Sequence, residues 1–255
     1  MGIQELDDLF SKTLISCAEQ SVESDVLDGK FTFGDKLPIL KTLVEVLADS
    51  LEQIGPVTGF LRIYSDERSN FLVKCFAQHN AAAKDQEQKM GYSREVYQRG
   101  SSLLLPYARS LINVLQTEYS CSSDLISKQH LPTTFVNLVT APIDGFLEVC
   151  DALLNRVRKN LQRRESNDIY ILIDVSDNLS GIMLPYSSLM ANCGKKGLDL
   201  KTFLMNSTTT ILNFFKDFYE EVKVSIIHKR HLLCILASRS RWKKAAHLVY
   251  GWNSS

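Results

Sequence analysis

Three potential soft ligands, His228, His231 and Cys234, recur at three-residue intervals, with His247 as a remote fourth. On a helix that interval stacks them on adjacent turns, where they could hold a zinc ion, but the set matches none of the spacings that zinc sites use. No metal site is expected. Acid–base chemistry has equally little to work with. Carboxylates pair at Asp7-Asp8, Asp66-Glu67 and Glu220-Glu221, yet neighbours in sequence point in different directions on a helix and cannot share a proton. His79 and His130 each stand alone, and a lone surface histidine is more often an ordinary side chain than a catalytic base. A Walker loop, a GxGxxG turn, a GxSxG elbow and an HExxH helix are all missing from the sequence. No catalytic residue, cofactor-binding residue or cofactor is therefore expected, and the chain reads as a protein that is not an enzyme.

Charge is the next source of chemistry. The 255 residues carry 29 basic and 29 acidic side chains, a balance that does not favour indiscriminate nucleic-acid binding. The total hides an asymmetry: residues 1–222 hold 22 basic and 29 acidic groups, a net of −7, whereas residues 223–255 hold seven basic groups and no acid. Within that last stretch Lys229, Arg230, Arg239, Arg241, Lys243 and Lys244 lie beside Leu232, Leu233, Ile235, Leu236 and Trp242. Such a segment would suit an amphipathic helix on anionic lipid, each basic residue contributing about 1 kcal/mol. The competing expectation is a non-native or disordered tail. A second basic strip, Arg156, Arg158, Lys159, Arg163 and Arg164, reads as a solvated face whose charges favour a helix carboxyl end.

Six cysteines occur singly, as expected of buried thiols in a reducing cytosol. The start of the chain is acidic, without the basic and apolar blocks of a secretory signal, and Leu6 stands where a myristoylation motif needs Ser or Thr. No apolar run approaches the roughly 20 residues that span a bilayer. A cytoplasmic protein is expected.

The elements that must position these residues are helices. Three-and-four spacing of apolar residues runs through nearly the whole sequence, and no alternating pattern competes, so the fold class is all-α. A first helix spans 4–19 on Leu6, Phe10, Leu14 and Ala18, and Asp28-Gly29 makes a turn. A second opens near Asp35 with Pro38 in its first turn, buries Leu37, Leu40, Leu43, Val44, Leu47 and Leu51, and stops at Gly55-Pro56. Ser65 reads as the N-cap of a third, with Asp66 and Glu67 in its first turn. A helix over 101–127 turns Leu104, Tyr107, Leu111, Leu115 and Tyr119 inward, and the clearest period covers 134–161. Residues 169–189 form a buried helix, although IYILIDV alone could pass for a strand. After a polar loop at 194–197, a last helix covers 198–222 on Phe203, Leu204, Ile211, Leu212, Phe215, Phe218, Tyr219 and Val222, a stripe expected to pack on the others. Helices of this length joined by short turns imply antiparallel neighbours stacked into an elongated bundle or rod.

Certain strings add a resemblance. Tyr64-Ser-Asp-Glu-Arg-Ser-Asn-Phe-Leu72, Tyr97-Gln-Arg-Gly-Ser-Ser102 and the helix with Tyr107 and Glu118-Tyr119 resemble, in order and spacing, the seventy-kilodalton subunit of the exocyst. Leu6 to Lys12 and Ser207 to Phe215 resemble an earlier and a later helix of the same family. The resemblance covers residues 1–222, as a truncated middle portion of a longer subunit, and leaves 223–255 outside it. It implies an elongated rod of stacked antiparallel helical bundles, cullin-repeat-like, that serves as a non-catalytic scaffold in the complex that tethers secretory vesicles to the plasma membrane in exocytosis. Other exocyst subunits would be its partners, together with Rho-type small GTPases and phosphoinositide membranes. The family's phosphoinositide-binding surface lies elsewhere, so no residue here inherits that role, and the six basic residues named above are the anionic-lipid candidates.

Overall fold

The computed structural model describes residues 2–52, 59–90, 97–165, 167–191 and 196–250, with 50–52, 196–197 and 228–250 described by backbone alone. Among the described residues all regular structure is helical: α1 (Ile3–Glu19), α2 (Glu23–Leu27), a 3-10 turn (Gly34–Lys36), α3 (Leu37–Glu52), α4 (Gly59–Met90), α5 (Leu104–Leu125), α6 (Leu131–Gln162), α7 (Ile169–Leu189) and α8 (Lys196–Tyr250). The chain divides into two units, Met1–Thr208 and Thr209–Ser255.

The first unit is a helical bundle organised on α6. Phe135, Leu138, Val139, Val149, Cys150, Leu153 and Val157 recur at helical spacing and are fully buried, and burial of such side chains contributes about 1.5–3 kcal/mol apiece for the larger ones. Pro142 sits inside α6, where it removes one i→i−4 hydrogen bond. Two edge-to-face ring pairs, Tyr107 with Phe146 and Tyr119 with Phe135, show that α5 and α6 run antiparallel. Phe76 stacks on Tyr107, while Tyr64 meets Ser122, so α4 and α5 are antiparallel too. Helices α4 and α6 consequently run parallel, joined by Asn80 donating to the Gly145 carbonyl at 3.0 Å and by Lys84 to Glu148 at 2.8 Å.

The expected helix over 169–189 is present, with Ile169, Ile171, Leu172, Val175 and Leu179 buried. Four expectations need correction. Ser65 is not an N-cap: Phe60 and Tyr64 are core residues, so α4 opens at Gly59, and the Ser65 hydroxyl bonds back to the Leu61 and Arg62 carbonyls. Helix α5 starts at Leu104 rather than 101, because Gly100 takes a left-handed φ of 82° and ends the preceding segment in a turn. Tyr119 is exposed, and its neighbour Glu118 is the residue turned inward. Finally, Lys196 and Gly197 already belong to α8, whose backbone stays helical past Val222 to Tyr250. The expected stop at Gly55-Pro56 lies outside the described residues.

Candidate interaction surface

Buried charge shows where the polar residues of the first unit are committed. Arg68 on α4 and Glu118 on α5 are each 1% exposed and form a two-pronged ion pair, with Nε donating at 3.2 Å and Nη2 bonded to the second carboxylate oxygen. The guanidinium lies 4.0 Å from the Phe31 ring centroid and 4.7 Å from that of Phe71, so both charge pairing and cation–π attraction offset its desolvation. Burial opposes the charge on Arg68, but the adjacent carboxylate outweighs it and holds the guanidinium above its ordinary range. One turn away the Tyr64 hydroxyl meets Ser122 Oγ at 3.1 Å, and burial pushes that phenol far up.

A second cluster secures the turn before α5. Asp174 on α7 accepts from the Tyr97 hydroxyl at 2.5 Å and from the Gly100 N–H at 2.7 Å, with Arg99 Nε at 3.5 Å. Burial alone would raise its pKa, yet the Tyr97 and Gly100 hydrogen bonds and the Arg99 charge bring it below the ordinary value. Burial and the same carboxylate push Tyr97 up to about 12. The third cluster corrects the solvated reading of Arg156, which is 13% exposed on its side chain. Its Nε and Nη2 donate to Glu87 at 3.0 and 2.8 Å, and Nη1 bonds Asp168, which also accepts from Asn160 at 2.7 Å. Burial raises the Glu87 pKa, Arg156 pulls it back, and Asp168 adds to the rise.

These clusters commit their charged side chains to holding the bundle together. The candidates from sequence stay apart. His79 is half-buried against Phe76 and Tyr107, and His130 sits just before α6. Asp7 is raised by burial and by Asp8, Glu67 accepts from Ser11, and Glu220 and Glu221 are exposed on α8. Cavities of about 340, 580, 530 and 490 Å³ open on the first unit. The last is bordered by Asp144, Glu148, Asp151 and Asp199, with no histidine or cysteine; the first three are exposed and Asp199 is half-buried. Among the described residues no group of three or more His, Cys, Asp or Glu could hold a metal ion. The side chains of His228, His231, Cys234 and His247, and of the lipid candidates Lys229, Arg230, Arg239, Arg241, Lys243 and Lys244, lie outside the described residues.

Residues 104–227 match the family model for the C-terminal part of Exo70, a subunit of the exocyst complex. Over that stretch the chain is similar to the Exo70 family. No curated protein matches the chain. The family match begins at the first residue of α5 and takes in α6, α7 and the part of α8 up to Ile227. Glu118, Arg156 and Asp174 fall within the matched segment, and their partners Arg68, Glu87 and Tyr97 precede it. The strings Tyr64 to Leu72 and Tyr97 to Ser102 thus supply Arg68 and Tyr97, one side of two of the three polar clusters, and the matched segment supplies the other side. Among the described residues no helix is long and apolar enough to cross a membrane.

The Exo70 segment ends on an exposed apolar surface. Leu212, Phe215, Phe218, Tyr219, Val222, Ile226 and Ile227 of α8 are between 39% and 64% exposed. Apolar side chains this dense on a solvent-facing helix mark a contact surface. Sequence spacing identified Leu212, Phe215, Phe218, Tyr219 and Val222 as a stripe, but spacing alone implied that the stripe was buried. Glu87, Glu118, Asp168 and Asp174 went unrecognised. Their signal is a charge in register with an apolar stripe, such as Glu118 between Leu111, Leu115 and Ser122, and it becomes legible only when a complementary charge elsewhere can be paired with it.

Proposed function

We propose that this chain is a non-catalytic helical scaffold of the exocyst, joined to the other subunits of the complex through helix surfaces, and that it serves the tethering of secretory vesicles at the cytoplasmic face of the plasma membrane. The observation that carries this reading is the Exo70 match over residues 104–227. It is supported by the commitment of the buried charges to helix–helix clamps and by the exposed apolar side chains of α8. A scaffold works through geometry: the clamps fix helix directions, and exposed faces receive other helices. By family resemblance, Rho-type small GTPases and phosphoinositide membranes are the further partners of such a subunit. Immunoprecipitation of the tagged chain followed by mass spectrometry tests the reading. Recovery of other exocyst subunits in stoichiometric amounts is expected, and their absence under conditions that preserve the rest of the complex overturns it.

A second reading, anionic-lipid binding by the basic segment, draws on the helical backbone that carries α8 through Tyr250. Liposome flotation with Lys243→Glu and Lys244→Glu tests it: binding that falls with these changes and with added salt is the expected signature.

A further inference from the structure

The exposed side chains of α8 follow a seven-residue rhythm. Leu212, Tyr219 and Ile226 are spaced by seven, and Phe215 and Val222 fall between them at the intervals of three and four that define the seam of a coiled coil. All five are exposed in the second unit. Lys216 and Lys223, also one heptad apart, follow Phe215 and Val222 directly and border one edge of the seam. Both are exposed, and among the described residues Lys223 pairs with Glu220 of its own helix, at 3.5 Å.

From this arrangement we infer that the α8 seam docks an amphipathic partner helix whose own apolar seam is flanked by Glu or Asp. The inference rests on the exocyst scaffold reading and names the kind of element that such a subunit receives there. A second copy of this chain fits poorly. In an antiparallel pair the lysine edges face one another, and in a parallel pair Lys216 and Lys223 meet Ile211 and Phe218, so neither arrangement supplies an acid. An anionic membrane fits no better, because residues 212–227 carry two lysines against Asp217, Glu220 and Glu221, a net of −1. An acidic edge on a partner helix satisfies both lysines while covering the apolar seam.

Two fluorescent four-heptad peptides, identical in their Ile and Leu seam but carrying Glu or Lys at every flanking position, separate these cases when titrated against the full chain. Binding of the Glu peptide at least tenfold tighter than the Lys peptide is expected. Lys216→Glu with Lys223→Glu should reverse the preference, and Leu212→Asp with Tyr219→Asp should abolish binding of both, with an unchanged circular dichroism spectrum. Equal binding of the two peptides, or none, overturns the inference. So does a concentration-dependent dimer in sedimentation, or adhesion to phosphatidylserine vesicles, that the seam substitutions eliminate. Recovery of exocyst subunits by the seam-substituted chain would sink the docking site while leaving the scaffold reading intact.

Discussion

Arg68 and Glu118 meet side-on between α4 and α5, 50 residues apart in sequence and each 1% exposed. The pair decides how the two helices are held because neither charge has solvent to fall back on. Removal of one partner, as in Glu118→Ala, leaves a guanidinium stranded in the core and should cost about 3–5 kcal/mol of stability. Arg68→Met with Glu118→Leu removes both charges together and should cost clearly less than the sum of the single changes. Urea unfolding of the four proteins measures the coupling. An additive result would mean that the pair does not act as a unit.

The acidic clusters should respond to pH with opposite signs. Asp174 is depressed in the folded chain by Tyr97, Gly100 and Arg99, so its contribution is present above the ordinary carboxylate range near pH 4 and is lost as pH falls through the folded value. Glu87 is raised by burial, so the folded chain holds its proton longer, and stability declines as pH rises from about 4 through the folded value. Asp174→Asn should therefore flatten the acid limb of the stability profile. Glu87→Gln should remove a decline on the other side. Denaturant midpoints between pH 2 and 7 check both, and slopes that change in the same direction would contradict the assignment.

How far the sequence reached depended on which force set each feature. Spacing of apolar residues located α1, α3, α6 and α7 because burial of one face drives those helices, and the Phe135 to Val157 stripe is buried as expected. Local rules failed where tertiary packing overrode them. Ser65 has the chemistry of a cap, but the demand to bury Phe60 and Tyr64 extends the helix past it. Arg156 looked like one member of a solvated strip, since nothing in its own helix reveals Glu87 and Asp168, 69 and 12 residues away. The apolar stripe of α8 was visible, but period alone does not distinguish a face already covered from one that awaits a partner.

Two helix ends offer a matched pair of backbone tests. Gly29 and Arg164 both occupy the left-handed position after a helix, at φ 74° and 64°. The following N–H reaches back in each case, from Lys30 to Asp25 at 2.8 Å and from Glu165 to Asn160 at 2.9 Å. Arg164→Gly relieves the cost of a side chain there and should stabilise by about 1 kcal/mol. Gly29→Ala adds that cost, and its new methyl carbon would meet the Asn113 carbonyl and Thr117 Oγ1 at 3.1 Å, so a loss of at least about 1–2 kcal/mol is expected. Thermal unfolding of the two variants should shift in opposite directions.

Thiol reactivity should follow burial. Cys17, Cys75, Cys121 and Cys150 are buried and free, and desolvation pushes Cys75 up to about 11 and Cys121 up to about 12. Since the thiolate is the reactive form, iodoacetamide at pH 7.5 should leave these four unmodified in the folded chain and alkylate them once urea is added. Peptide mass spectrometry reads the outcome site by site, and rapid native labelling of Cys150 would contradict the packing of α6.

The most direct test of the exocyst assignment is size-exclusion chromatography of the purified chain mixed with purified exocyst subunits lacking their own seventy-kilodalton member. Elution of the chain together with at least one of those subunits, at a fixed ratio across the peak, is the expected result. Separate elution from every one of them, with the chain folded by circular dichroism, would contradict a role as an exocyst scaffold.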